Sequence, residues 1–69
     1  MKNIPNRLKE FRIKNNLKQI EVAEKLGFQS SDRISHWEKG RAVPHLVNLF
    51  KISILYGVLP HELYPELLK

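Results

Sequence analysis

From Ser30 to Gly40 the chain reads "SSDRISHWEKG", in which hydroxyl, carboxylate, imidazole and ammonium groups surround only two apolar residues, Ile34 and Trp37. On a helix turning 100° per residue, with Ser31 at zero, the residues Ser35, Lys39, Asp32 and His36 fall at about 40°, 80°, 100° and 140°. Ile34 and Trp37 fall at about 300° and 240°, and Arg33 and Glu38 lie on the flanks near 200° and 340°. Such a helix is anchored by Ile34 and Trp37 and presents polar groups outward. Base edges in a DNA major groove call for groups of this kind: hydroxyls donate or accept, a carboxylate accepts from the amino group of cytosine or adenine, and an imidazole donates to purine acceptors. Taken alone, the wheel is equally that of any solvent-facing helix.

Enzymatic chemistry finds no comparable set. A nucleophile with its base, paired carboxylates and a metal-binding cluster all fail to assemble, so the chain is read as a non-enzyme without metal or cofactor. His36, His45 and His61 have no companion cysteines, and no two share a helical face. His61 and Glu62 do not begin a zinc-binding HExxH pattern, because Pro65 stands where the second histidine belongs.

The 69 residues, 42% hydrophobic and 28% charged, suit one small domain over residues 1–69 with a single core. There are no cysteines, so disulfides and thiolate metal sites are excluded. The apolar runs are far shorter than the roughly 20 residues that span a bilayer, and "MKNIPNRLKEF" lacks the apolar region of a signal peptide, so a cytoplasmic location without membrane contact is expected. The net charge of +5 is uneven: Lys2, Arg7, Lys9, Arg12, Lys14 and Lys18 face only Glu10. That excess favours a polyanionic partner, with an ordinary solvated basic helix as the alternative, chiefly for Lys9 and Lys14.

Five short helices must position these groups. Ile4, Leu8 and Phe11, with Leu17 beyond the end, mark the apolar face of the first, which stops where Asn15 or Asn16 takes the left-handed conformation. The second runs from Gln19 to Leu26 with Ile20, Val22, Ala23 and Leu26 toward the core and Gly27 as its stop. The third opens at Ser30, a capping hydroxyl, and ends at Gly40. Leu46, Leu49, Phe50, Ile52 and Leu55 give the fourth one broad face after Pro44, closed by Gly57, and a last short helix begins near Pro60 and includes Leu63. No stretch sustains the alternation of a strand, so the fold class is all-α, a compact bundle.

The order "LKQIEVAEKLGF", a polar turn, "ISHWEKG", three residues, proline, then "LVNLFKISILYGV" resembles the helix-turn-helix family of phage repressors, Cro proteins and bacterial relatives, the XRE or Cro/CI type. The likeness covers roughly residues 6–63 and rests on several correlated spacings. It implies a lambda-repressor-like DNA-binding domain whose recognition helix, Ser31 to Lys39, enters the major groove. By the same resemblance Gln19 opens the second helix and hydrogen-bonds the DNA backbone, Ala23 lets the second and third helices approach, and Arg12 pairs with Glu38. The wheel agrees on the last point, since Glu38 is turned partly inward, where an unpaired carboxylate is costly.

The chain departs from the family pattern in three places. Lys18 replaces the usual capping Ser or Thr, losing the cap and gaining a cation toward phosphate. Asn16 stands where glycine is common. "GFQSSDRIS" is one residue longer than the commonest version; the extra residue is expected in the turn, and if absorbed in the helix it would shift Ser31 and Asp32 by one.

The candidate base contacts are therefore Ser31, Asp32, Ser35 and His36, with Asp32 alternatively a first-turn residue favoured by the helix dipole. The candidate phosphate contacts are Lys18, Gln19, Arg33, Lys39 and Arg41. Trp37 is read as core. The resemblance implies a symmetric dimer on a pseudo-palindromic operator of double-stranded DNA, and the apolar excess of Tyr56, Leu59, Tyr64, Leu67 and Leu68 marks the homodimer surface. A transcriptional repressor is the leading function; an antitoxin or other interaction module, with a toxin partner on that C-terminal surface, is the alternative.

Overall fold

The computed structural model describes residues 3–68, so Lys2 of the basic N-terminal run lies outside the described residues. Five helices follow one another: α1 Leu8–Lys14, α2 Gln19–Lys25, α3 Asp32–Glu38, α4 Leu46–Tyr56 and α5 Pro60–Leu63. Among the described residues there are no strands, and no helix is long and apolar enough to cross a membrane. The fold is the all-α bundle read from the sequence.

Helices α1 to α4 end in the same way. In each, a residue just past the last helical one, two beyond it in α1 to α3 and one beyond it in α4, adopts positive φ: Asn16 at 57°, Gly27 at 85°, Gly40 at 77° and Gly57 at 69°. The following amide then reaches back five residues, as in Leu17 to the Arg12 carbonyl at 3.2 Å and Phe28 to that of Ala23 at 2.8 Å. This double closure satisfies carbonyls that a helix end leaves unpaired, and it needs a residue that tolerates the left-handed region. Asn16 is the one that does so with a side chain.

The core is a single cluster of Leu8, Phe11, Val22, Ala23, Leu26, Ile34, Trp37, Leu49, Ile52, Tyr56, Leu63 and Tyr64. Four apolar residues are placed differently from the sequence reading. Ile4 precedes α1 in an extended strap, because the helix begins only at Leu8. Ile20 is exposed, since it points about 115° away from the row of Val22, Ala23 and Leu26 that faces inward. On α4 the buried row is Asn48, Leu49, Ile52, Ser53 and Tyr56. Leu46 and Phe50, expected inside, remain 63% and 49% exposed because they lie on the neighbouring arc with Val47 and Ile54.

Tyr56 and Tyr64, expected at the surface, are core residues at 4% and 0% exposure, leaving Leu59, Leu67 and Leu68 outside. Burial pushes the Tyr64 phenol up to about 12. Its hydroxyl has no hydrogen-bond partner among the described residues, a condition that costs about 1–3 kcal/mol relative to a satisfied group.

An exposed cluster decorates α1, whose preceding residue Arg7 donates its amide to the Leu63 carbonyl at 2.9 Å. Arg7 and Lys14 both contact Glu10, at 2.6 and 3.3 Å, and both lie over the Phe11 ring. The Arg7 hydrogen bond, with help from Lys14, holds the Glu10 carboxyl at about 2. A carboxyl depressed in the folded state adds stability above its ordinary value and loses it as the pH falls toward 2. Solvent around this surface pair keeps that contribution small.

Replacing the buried phenol by a ring without the hydroxyl leaves packing intact and removes the unsatisfied group. Tyr64→Phe is expected to stabilise the fold by about 1 kcal/mol, measured as a higher midpoint in urea unfolding with an unchanged slope; a lower midpoint would show that the hydroxyl is satisfied in solution.

Candidate nucleic-acid interface

Helix α3 is held from three directions. From beneath, Ile34 and Trp37 are 2% and 6% exposed, and the Phe28 ring meets Trp37 edge-on with centroids 5.9 Å apart. From α1, Arg12 donates through Nε to Glu38 at 2.5 Å and through Nη2 at 3.1 Å, a two-pronged pair with side chains 12% and 5% exposed. The carboxylate raises the Arg12 pKa above its ordinary value. The remaining prong of Arg12 donates to the Leu17 carbonyl at 2.9 Å, and the Gln19 amide donates to Glu38 at 3.0 Å. One carboxylate thus joins α1, the α1–α2 turn, the first residue of α2 and the end of α3.

The third hold is a strap from the N-terminal segment. The Ile4 amide donates to the Gly40 carbonyl at 2.8 Å, and the Asn6 side-chain amide reaches the carbonyls of Trp37 and Glu38 at 3.2 and 3.3 Å. Asn6 Oδ1 accepts from the Leu8 amide at 3.1 Å, so one side chain starts α1 and finishes α3. The approach is close: a Cβ on Gly40 would meet the Ile4 carbonyl oxygen and amide nitrogen well inside van der Waals contact.

The helix opens one residue later than the sequence reading placed it, with the cap position at Ser31 in place of Ser30. Ser30 and Ser31 belong to the turn, with Ser31 at the N-cap position without a side-chain cap, and Asp32 is the first helical residue. Ser30 Oγ accepts weakly from the Asp32 amide at 3.4 Å, a local turn bond rather than a helix cap. Asp32 therefore occupies the first turn, where its charge complements the dipole whatever else it contacts.

The outward face otherwise follows the wheel. Asp32, His36 and Lys39 are exposed, and Ser31 and Ser35 are half-buried between them. Arg33 and Arg41 are exposed on either side, with the Arg33 guanidinium seated 4.7 Å above the Phe28 ring. At the start of α2, Lys18 is exposed and its side chain caps nothing, while Glu21 accepts from its backbone amide at 2.8 Å. Gln19, expected at DNA phosphate, is half-buried with its amide engaged by Glu38, which fixes the side chain at the junction of α2 and α3.

A concavity of about 410 Å³ beside α3 is lined by Arg33, His36, Trp37, Val43, His45 and Asn48, among others. The sequence reading missed His45 and Asn48 here, and it missed Asn6 and Phe28 as supports. Asn6 was legible as a residue of helix-starting type two positions before Leu8. Contact of Phe28 with Arg33 depends on the turn's path, for which the sequence carries no local signal.

A short helix with an outward polar face, a second helix packed across it and an ion pair tying the pair to the first helix are the parts of a helix-turn-helix. The sequence pattern of the helix-turn-helix family matches residues 8–63. The chain belongs to that family. Among solved structures, it is similar to a protein of Bacteroides fragilis provisionally described as DNA-binding, with 31% identity and a TM-score of 0.75 over 84% of this chain and 92% of that one. No protein of curated function matches. Within the helix-turn-helix domain, Arg12, Gln19 and Glu38 form its internal lock.

Removing the shared carboxylate strands Arg12 and frees Gln19. Glu38→Ala is expected to destabilise the fold by about 3–5 kcal/mol in thermal or urea unfolding, whereas replacing Arg12 and Glu38 together with apolar residues recovers most of the loss. A single substitution costing under about 1 kcal/mol would refute the lock.

Proposed function

We propose that the protein is a sequence-specific DNA-binding transcriptional regulator, in its simplest form a repressor that occludes a promoter. The observation that carries this reading is the division of α3 into a pinned face of Ile34, Trp37 and Glu38 and an outward face of Asp32, Ser35, His36 and Lys39. Family membership and the DNA-binding description of the similar Bacteroides fragilis protein support it. Ser31, Asp32, Ser35 and His36 read base edges; Lys18, Gln19, Arg33, Lys39 and Arg41 contact phosphates.

Two copies act together on a pseudo-palindromic site, with recognition helices about 34–36 Å apart. The exposed Leu59, Leu67 and Leu68 near the C-terminal end supply apolar surface for that pairing. Acting on the genome, the protein works in the cytoplasm.

Binding of labelled random-sequence duplex, followed by anisotropy at two salt concentrations, is expected to weaken steeply with salt; no binding at low salt would end the DNA reading. Selection from a random duplex library should return an inverted repeat with half-sites about one helical turn apart, and a single unrepeated site would remove the dimer. His36→Ala should change the sequences recovered. Arg41→Ala should keep them, weaken all about equally, and reduce the salt slope by about 0.9.

A further inference from the structure

We infer that the groove between the end of α2 and the middle of α4 docks an acidic amphipathic helix of a partner protein. The groove holds about 350 Å³ and is lined by Lys25, Leu26, Lys51, Ile54 and Leu55. Leu26 and Leu55, buried and half-buried, form the apolar floor, and Ile54, 81% exposed, forms one wall. Both charged lining residues are lysines, one on each flanking helix, and neither makes an ion pair among the described residues.

The apolar wall continues along α4. Leu46, Val47, Phe50 and Ile54 fall within an arc of about 100°, and the span from the first to the last is about 12 Å at 1.5 Å per residue. Two to three turns of a partner helix cover that length, with anchors at three- and four-residue spacing in the usual manner of a helix in a groove. Four large apolar side chains on one arc of a chain this small are more than scattered surface residues.

Charge selects the occupant. A partner helix whose anchor row is flanked by carboxylates meets Lys25 on one side and Lys51 on the other, an arrangement that favours encounter and fixes orientation. A second copy of this chain brings its own Lys25 and Lys51, and an isologous pairing would set like charges against each other. Nucleic acid gains little from an apolar floor without hydrogen-bonding groups. No residue of α3 lines the groove, so a partner docked there leaves the outward face of α3 open.

Two synthetic helical peptides with the same leucine row, one flanked by glutamates and one by lysines, test this in titrations of the isotope-labelled chain followed by amide NMR shifts. The acidic peptide is expected to shift the amides of Lys25, Leu26, Lys51, Ile54 and Leu55 and to leave α3 unmoved, whereas the basic one binds far more weakly. The charge-reversed K25E/K51E should lose about tenfold in affinity for the acidic peptide and accept the basic one. Both lysines are exposed, and circular dichroism checks the fold; K25Q/K51Q, which abolishes the preference without reversing it, serves if the reversed variant is unfolded. Any of four results would overturn the inference: no shifts at millimolar peptide, equal affinity for both peptides, self-association by sedimentation that Ile54→Ser removes, or shifts produced only by phosphatidylserine vesicles.

Discussion

The Glu38 side chain is buried at the end of a seven-residue helix, and the arrangement of the first three helices depends on how its charge is met. A carboxylate with a side chain 5% exposed needs a cation and further donors, or the fold that buries it is disfavoured. Arg12 supplies the cation in a two-pronged grip, Gln19 supplies another donor, and the leftover prong of Arg12 satisfies the Leu17 carbonyl. Each of these groups sits on a different stretch of chain. Satisfying one charge therefore fixes the angle of α3 against α1 and the start of α2 together. The net stabilisation from such a pair is small; its value lies in the penalty attached to every other arrangement.

The same economy of size governs the core. A chain of 69 residues cannot enclose all of its apolar side chains, so the helices were bound to leave some outside. The selection follows rotation. On α4 the row of Leu49, Ile52 and Tyr56 faces α5 and the core, which turns Leu46, Val47, Phe50 and Ile54 to solvent. Tyr56 and Tyr64 fill volume that aliphatic residues would leave thin, at the cost of one unsatisfied hydroxyl. The outer arc of α4 is the remainder of that choice.

The parts legible in the sequence were those set by local chemistry or by a single helical period. Asn16, Gly27, Gly40 and Gly57 announce helix ends because the backbone there must enter the left-handed region, and the structure closes each helix at those residues. Ile34, Trp37 and Glu38 separate from Ser35, His36 and Lys39 by angle alone. The Arg12–Glu38 pair was read from a family likeness together with the inward tilt of Glu38. What the sequence concealed was competition between equally apolar arcs, so Ile20, Leu46 and Phe50 were placed inside and the two tyrosines outside. It also concealed the path of irregular backbone: Ile4 belongs to a strap rather than a helix, and Ser30 to a turn, because hydrogen bonds to Gly40 and within the turn outweigh the apolar spacing and capping preference that suggested helix.

The constraints on α3 are unevenly shared among its residues. Ile34 and Trp37 are fixed by packing, Glu38 by its ion pair, and Gly40 by positive φ and the contact with Ile4. Ser31 and Ser35 are half-buried and accept only small replacements, while Asp32, His36 and Lys39 are exposed without a side-chain hydrogen bond or ion pair to any described residue. Substitutions at those three positions alter the groups the helix presents outward and leave the fold nearly untouched, as surface changes usually do. A helix built this way separates the residues that hold it from those it presents within seven residues, because the two sets lie on different sides of the same turn.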